Sequence, residues 1–105
     1  MIDSILKKFQ NKELEKFCIK NQIKSLALFG SVLRNDFNPK SSDIDILIEF
    51  KKGYIPGLFK FSGIELALRE IVHEKVDLKT LEDISIYFRN EIQKSAKKVF
   101  EFSND

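Results

Sequence analysis

The chain has 105 residues, 43% of them hydrophobic and 32% charged, with a formal charge of +2 from 18 basic and 16 acidic side chains. These figures describe one globular domain spanning 1–105, with too little chain for two cores and too many apolar residues for disorder. Near-balanced charge gives no footing for nucleic-acid or membrane-surface binding, and a single cysteine, Cys18, rules out an internal disulfide and suits a reducing, cytoplasmic compartment.

The opening "MIDSILKKFQNKELEKF" is charged throughout, so it reads as neither a signal peptide nor a membrane anchor. Within 2–21, Ile5, Leu6, Phe9, Leu14, Phe17 and Cys18 recur at helical spacing behind an Asp3 or Ser4 cap, which predicts one helix. "IKSLALF" (23–29) is a short apolar run closed by Gly30 and reads as a strand. "SDIDILIEF" (42–50) alternates with period two and is the clearest strand of the chain. "KKGYIPG" (51–57) is a loop, either a connection or a lid. Leu58, Phe61, Ile64, Leu68 and Ile71 then mark a helix that Gly63 delays to about Ser62. "KVDLKT" (75–80) is a very short strand. The stretch from Thr80 to Phe102 reads as a closing helix, with Thr80 and Asp83 spaced like a capping box. The order implies an α/β (α+β) domain, a small mixed sheet of about three to four strands flanked by helices.

Two aspartates stand inside the clearest strand. Alternate residues of a strand share a face, so Ile44, Ile46, Ile48 and Phe50 form an apolar row, and Asp43, Asp45, Leu47 and Glu49 form the other. Residues two apart span about 6.7 Å, which lets Asp43 and Asp45 aim at one point. In "KVDLK" the same parity sets Asp77 against Val76 and Leu78. If the two strands are neighbours, three carboxylates share a patch and repel unless a cation lies between them. Magnesium takes oxygen ligands of this kind, and paired ions would suit phosphoryl chemistry. A D-x-D by itself is more often a plain polar strand face. A calcium loop would need further oxygen ligands, where this chain has Ile46, Leu47 and Ile48.

Gly30 directly follows an apolar strand, and Ser31 can cap a turn through Val32, Leu33 and Arg34. Such a turn is either an ordinary strand exit or a cradle for phosphate built from backbone amides, the Ser31 hydroxyl and Arg34. Neither a P-loop nor a dinucleotide fingerprint is present. His73 sits near a helix end and reads as solvated or cap-adjacent. Tyr54 and Tyr87 read as partly buried packing.

Gly30-Ser31, eleven further residues and then Asp43-Ile44-Asp45 together resemble the signature of the polymerase-beta-like nucleotidyltransferase superfamily. More narrowly, "LFGSVLRNDFNPKSSDIDILIEF", "GLFKFSGIELALREIVHEKVDLKT" and "YFRNEIQKSAKKVFE" resemble the minimal nucleotidyltransferase (MNT) antitoxins of HEPN/MNT toxin–antitoxin systems over nearly the whole chain. Asn35 stands where glycine or aspartate is usual, and Lys40 where an acidic residue often precedes the Ser-Asp pair.

The resemblance implies that Asp43, Asp45 and Asp77 are the catalytic and metal-binding carboxylates, with two Mg2+ ions. It implies that Gly30, Ser31, Arg34 and Ser42 contact the nucleotide, and that Asp77 helps to deprotonate the attacking hydroxyl. The activity implied is transfer of AMP from ATP to a tyrosine of a cognate HEPN RNase toxin, which silences it. Two rivals stay open: an antitoxin that inhibits by binding alone, and a transferase with a small-molecule or RNA acceptor. The second is disfavoured because 105 residues leave little room for an acceptor domain. Arg34 is either a phosphate contact or a solvated charge. Association into homo-oligomers, through sheet edges or exposed phenylalanines, is also left open.

Overall fold

The computed structural model describes residues 2–103. In chain order the elements are α1 (Ile2–Lys8), α2 (Lys12–Lys20), β1 (Ile23–Phe29), a 3-10 turn (Gly30–Leu33), β2 (Ile44–Phe50), α3 (Leu58–Val72), β3 (Val76–Lys79), a second 3-10 turn (Leu81–Asp83), α4 (Ile86–Ser95) and β4 (Lys97–Glu101). The four strands form one sheet in the order β3-β2-β1-β4. β2 runs antiparallel to β1 and parallel to β3, and β4 runs antiparallel to β1. The expected mixed sheet is therefore present, at the upper end of the expected strand count.

The apolar row of β2 is buried as its period requires: Ile44, Ile46, Ile48 and Phe50 join one core with Leu26, Leu28, Val76 and Leu78. α1, α2 and α3 lay Ile5, Leu14, Cys18, Ile64, Leu68 and Val72 on this face of the sheet. A register shift between Ile23 and Ser25 changes the parity of β1, so Ile23 and Leu26 both reach the core. The opposite face carries Asp45, Leu47, Asp77 and Lys79, none of them fully buried. The fold thus has a packed side and a side free for chemistry.

Four expectations about the helices are corrected. The single N-terminal helix is two, because the Asn11 side chain accepts from the Leu14 amide at 2.6 Å and caps a new start, α2, within an unbroken apolar pattern. Asp3 and Ser4 fall inside α1 and so do not cap it. α3 begins at Leu58, four residues before Ser62. Gly63 faces open space there, so it costs only its propensity, about 1 kcal/mol against alanine.

The closing helix is the largest miss. Thr80 and Asp83 do pair, with the Thr80 amide and hydroxyl both donating to the Asp83 carboxylate, but they cap the short turn at Leu81. The helix itself starts at Ile86, has no fully buried residue and stops at Ser95. Ala96 is extended, and the next five residues become β4 along the free edge of β1. Pairing with that edge satisfies backbone groups that a solvated helix would only satisfy internally, and it brings Val99 and Phe100 onto the core. Among the described residues no helix is long and apolar enough to cross a membrane.

Candidate functional site

β1 and β2 are antiparallel, and Phe29, the last residue of β1, is the register partner of Asp45. The next residue, Gly30, therefore turns directly over the start of β2. Its φ is +75°, in the left-handed region that suits glycine, and a Cβ built there would lie 2.8 Å from Asp45 Oδ2. The group that the Gly30 backbone approaches is the Asp45 carboxylate. The 3-10 turn runs from Gly30 to Leu33 with Phe29 at its N-cap, so Ser31, half-buried, lies inside the turn and does not cap it as expected, and Val32 anchors the turn in the core. The leading N–H groups of such a turn have no partners within it.

On the other side of β2, parallel pairing makes Asp77 the direct partner of Asp45. Neighbouring strands lie about 4.8 Å apart, so the two carboxylates leave the same face side by side. The start of this pairing is fixed by the Ile44 amide, which donates to the Lys75 carbonyl at 2.8 Å. Asp43, exposed, precedes β2 directly, close enough to act on Asp45 electrostatically. Burial raises the Asp45 pKa; the negative charges of Asp77 and Asp43 add to the rise, and Lys79 opposes it.

β3 is an edge strand, yet its outer edge is not bare. Leu78 N–H donates to Glu65 Oε2 at 2.9 Å, and Arg69 Nε donates to the Val76 carbonyl at 3.1 Å. Glu65 and Arg69 themselves stand one helical turn apart on α3, 3.8 Å from each other. The two residues flanking Asp77 are thus held by α3 while Asp77 itself faces out. Lys79, two residues on and on the same face, brings its Nζ to 3.1 Å from Asp77 Oδ2.

Lys79, Glu65 and Arg69 were not anticipated. Lys79 could have been, since it shares the parity of Asp77 in "KVDLK". The helix–edge bonds depend on tertiary placement.

The remaining candidates lie further out. Ser42 lies in the loop before β2, its amide donating to the Asn38 carbonyl at 3.0 Å. Arg34 is well exposed and pairs with Asp36 at 3.5 Å, which favours the solvated-charge reading. His73 caps the C-terminus of α3 in a left-handed conformation (φ 57°), in keeping with a cap role. Tyr54 and Tyr87 are not packed as expected: they are 56% and 89% exposed. Ile55, beside Tyr54, lines a groove of about 450 Å³ on the carboxylate face, floored by Ser25, Ala27 and Leu47 and walled by Leu81 and Gln93.

Among the described residues no three His, Cys, Asp or Glu side chains stand together as a ready metal cage. Magnesium seldom needs one: it is commonly held by one or two carboxylates together with substrate phosphates and water. Asp45 and Asp77, hard oxygen donors paired across two strands, fit that requirement. The rise in the Asp45 pKa, caused by burial and by its acidic neighbours, marks a place where added positive charge is stabilising.

Residues 11–100 match the family profile of the nucleotidyltransferase domain. MJ0128 of Methanocaldococcus jannaschii, provisionally named a protein adenylyltransferase, is 42% identical over 77 residues, covering 73% of this chain and 71% of its own. MJ1215 of the same organism, with the same provisional name, is 37% identical over 83 residues, covering 79% and 88%. A solved structure described provisionally as a minimal nucleotidyltransferase superposes with a TM-score of 0.70 at 21% identity, covering 90% of this chain and 92% of that one. A tri-AMPylated Shewanella oneidensis HEPN toxin in complex with MNT antitoxin gives 0.60 at 18% identity, covering 97% and 74%. A toxin–antitoxin structure with AMP-PNP gives 0.64 at 20%, covering 89% and 74%. At such identities the superpositions speak for the fold alone. With the profile and the closer relatives they settle one point: this chain belongs to the nucleotidyltransferase domain family and is a nucleotidyltransferase.

Proposed function

We propose that the protein is a magnesium-dependent protein adenylyltransferase that moves AMP from ATP to a tyrosine of a HEPN-type toxin and thereby neutralises it in the cytoplasm. The observation that carries this reading is the pairing of Asp45 with Asp77 directly under the Gly30 turn. Asp43, Asp45 and Asp77 would hold the cations, which when bound neutralise charge on the triphosphate. Gly30 and Ser31 would meet its phosphates through backbone amides and a hydroxyl, with Ser42 at the margin and Arg34 left as a solvated charge.

In the reaction the tyrosine oxygen bonds to the α-phosphorus and the bond to the β-phosphate oxygen breaks. Pyrophosphate leaves, and the phenolic proton passes to a carboxylate, for which Asp77 is the candidate. In-line geometry requires the acceptor to arrive on the open side of the sheet, and the groove beside Leu47 gives room there. A partner protein also has apolar surface to meet: Ile55, Leu58, Phe59, Ile86 and Tyr87 are each at least 71% exposed. The acceptor class is further supported by the provisional names of the Methanocaldococcus relatives and by the HEPN toxin in a structural neighbour, and the donor by the AMP-PNP of another.

The test is a transfer assay with ATP labelled at the α-phosphate, Mg2+ and a candidate HEPN-type partner protein, with Asp45→Asn as control. Label on a partner tyrosine, in the wild type alone, is the expected result. A partner bound and inhibited but unlabelled would instead establish inhibition by contact. Label on RNA or a small molecule would reassign the acceptor.

A further inference from the structure

The side chain that holds Asp77 is Lys79. Its ammonium lies 3.1 Å from Asp77 Oδ2, and both side chains are about 40% exposed, on the face that carries Asp45. Its charge acts on Asp45 and Asp83 as well as on Asp77. Backbone placement leaves Lys79 little choice of side: it follows Asp77 by two residues on a strand whose outer edge α3 holds through Glu65 and Arg69. The chain thus carries a positive charge of its own at a cluster of carboxylates that otherwise repel one another.

We propose that Lys79 is a built-in counter-cation of this site: it holds Asp77 Oδ2 in the metal-free protein and competes with the divalent cation, so that the Lys79–Asp77 pair must open before the metal can use both oxygens of Asp77. This inference rests on the metal reading above and assigns a role to a residue which that reading leaves idle. Its consequence is a site that resists metal alone and accepts it together with nucleotide, because the triphosphate brings negative charge for Lys79 to face once Asp77 is given up. Lys79 is a positioning residue here, acting through Asp77.

Two effects of removing it have the same sign. Loss of the ammonium frees Asp77, and it also removes a like charge from the neighbourhood of an incoming dication. Lys79→Met should therefore bind Mn2+ more tightly than wild type in the absence of nucleotide. The expected gain is roughly twofold to fivefold, the range open to a half-exposed ion pair. Lys79→Arg keeps the charge and should stay near the wild-type affinity. With a non-hydrolysable ATP analogue present, the gap between Lys79→Met and wild type should narrow.

The experiment is Mn2+ titration of the full chain followed by electron paramagnetic resonance, for wild type, Lys79→Met, Lys79→Arg and Asp45→Asn. Tighter binding in Lys79→Met with wild-type behaviour in Lys79→Arg supports the proposal. Unchanged or weaker binding in Lys79→Met, while Asp45→Asn still loses the metal, overturns it and leaves the metal site standing. Equal binding by wild type and Asp45→Asn removes the metal reading itself, and the proposal with it. If Lys79→Met is unfolded by circular dichroism, Lys79→Gln takes its place with the same expected sign.

Discussion

Gly30→Ala separates two duties that one glycine performs. The first is conformational: at φ +75° an alanine gives up about 1–2 kcal/mol against its ordinary backbone regions. The second is spatial, because the new methyl would lie 2.8 Å from Asp45 Oδ2, roughly 0.6 Å inside the 3.4 Å where ordinary contact begins. The atom met is the end of a short side chain on a rigid strand, so the carboxylate rather than the backbone gives way. Displacements approaching 1 Å at reacting groups cost on the order of 100-fold in rate.

Gly53 supplies the control. It has φ +85°, yet a Cβ there meets nothing within 4 Å, so Gly53→Ala incurs the same backbone cost without touching the carboxylates. Each variant should lower the melting temperature by roughly 5–15 °C, on the scale of 4–8 °C per kcal/mol for a domain of this size. Only Gly30→Ala should lose transfer activity, by roughly 10- to 100-fold at a temperature where both variants are fully folded. Thermal denaturation by circular dichroism and initial rates of α-phosphate transfer measure the two effects. Equal activities in the two folded variants would refute the idea that Gly30 is there to make room for Asp45.

Asp45→Asn should abolish transfer yet melt higher than wild type at neutral pH without metal. The Asp45 pKa is raised in the folded state by burial and by Asp77 and Asp43, so its ionised form costs stability above that folded value. The cost fades as pH falls through the folded value toward the unfolded one, so the two melting curves should converge in acid; a gap that widens there would contradict the sign. Glu65→Ala leaves the Leu78 amide without its acceptor and should cost about 1–2 kcal/mol, with hydrogen exchange at Leu78 accelerated, whereas Glu65→Gln should retain much of the protection. Burial pushes the Cys18 thiol up to about 12. It should therefore react with a disulfide reagent at pH 8 only as fast as the chain opens, and immediate reaction in the native protein would count against its burial.

What the sequence disclosed about this molecule follows the reach of each signal. Period-two alternation is local, so the buried row of β2 and the opposed set of Asp45 and Asp77 were readable once two short strands had been found. β4 was not: Lys97–Glu101 has two leading lysines and no clean alternation, and it becomes a strand because β1 presents a free edge from seventy residues earlier in the chain. The break between α1 and α2 lay in a single side-chain cap, Asn11, set within a continuous helical period that outweighed it.

The candidate site divides along the same line. Its carboxylates could be proposed from spacing, since each stands next to a buried isoleucine or leucine and so belongs to the other face of its strand. Gly30 could be identified as a special backbone position but its neighbour could not, because Phe29 and Asp45 meet only through the antiparallel register. Lys79 was as legible as Asp77, since the two share parity in one strand, although an ammonium is no ligand for a cation. A lysine two residues from an acidic ligand changes the electrostatics of that ligand whether or not it ever touches substrate. Where like charges such as Asp45 and Asp77 share a face, the opposite charge of equal parity belongs to the site as much as the carboxylates do.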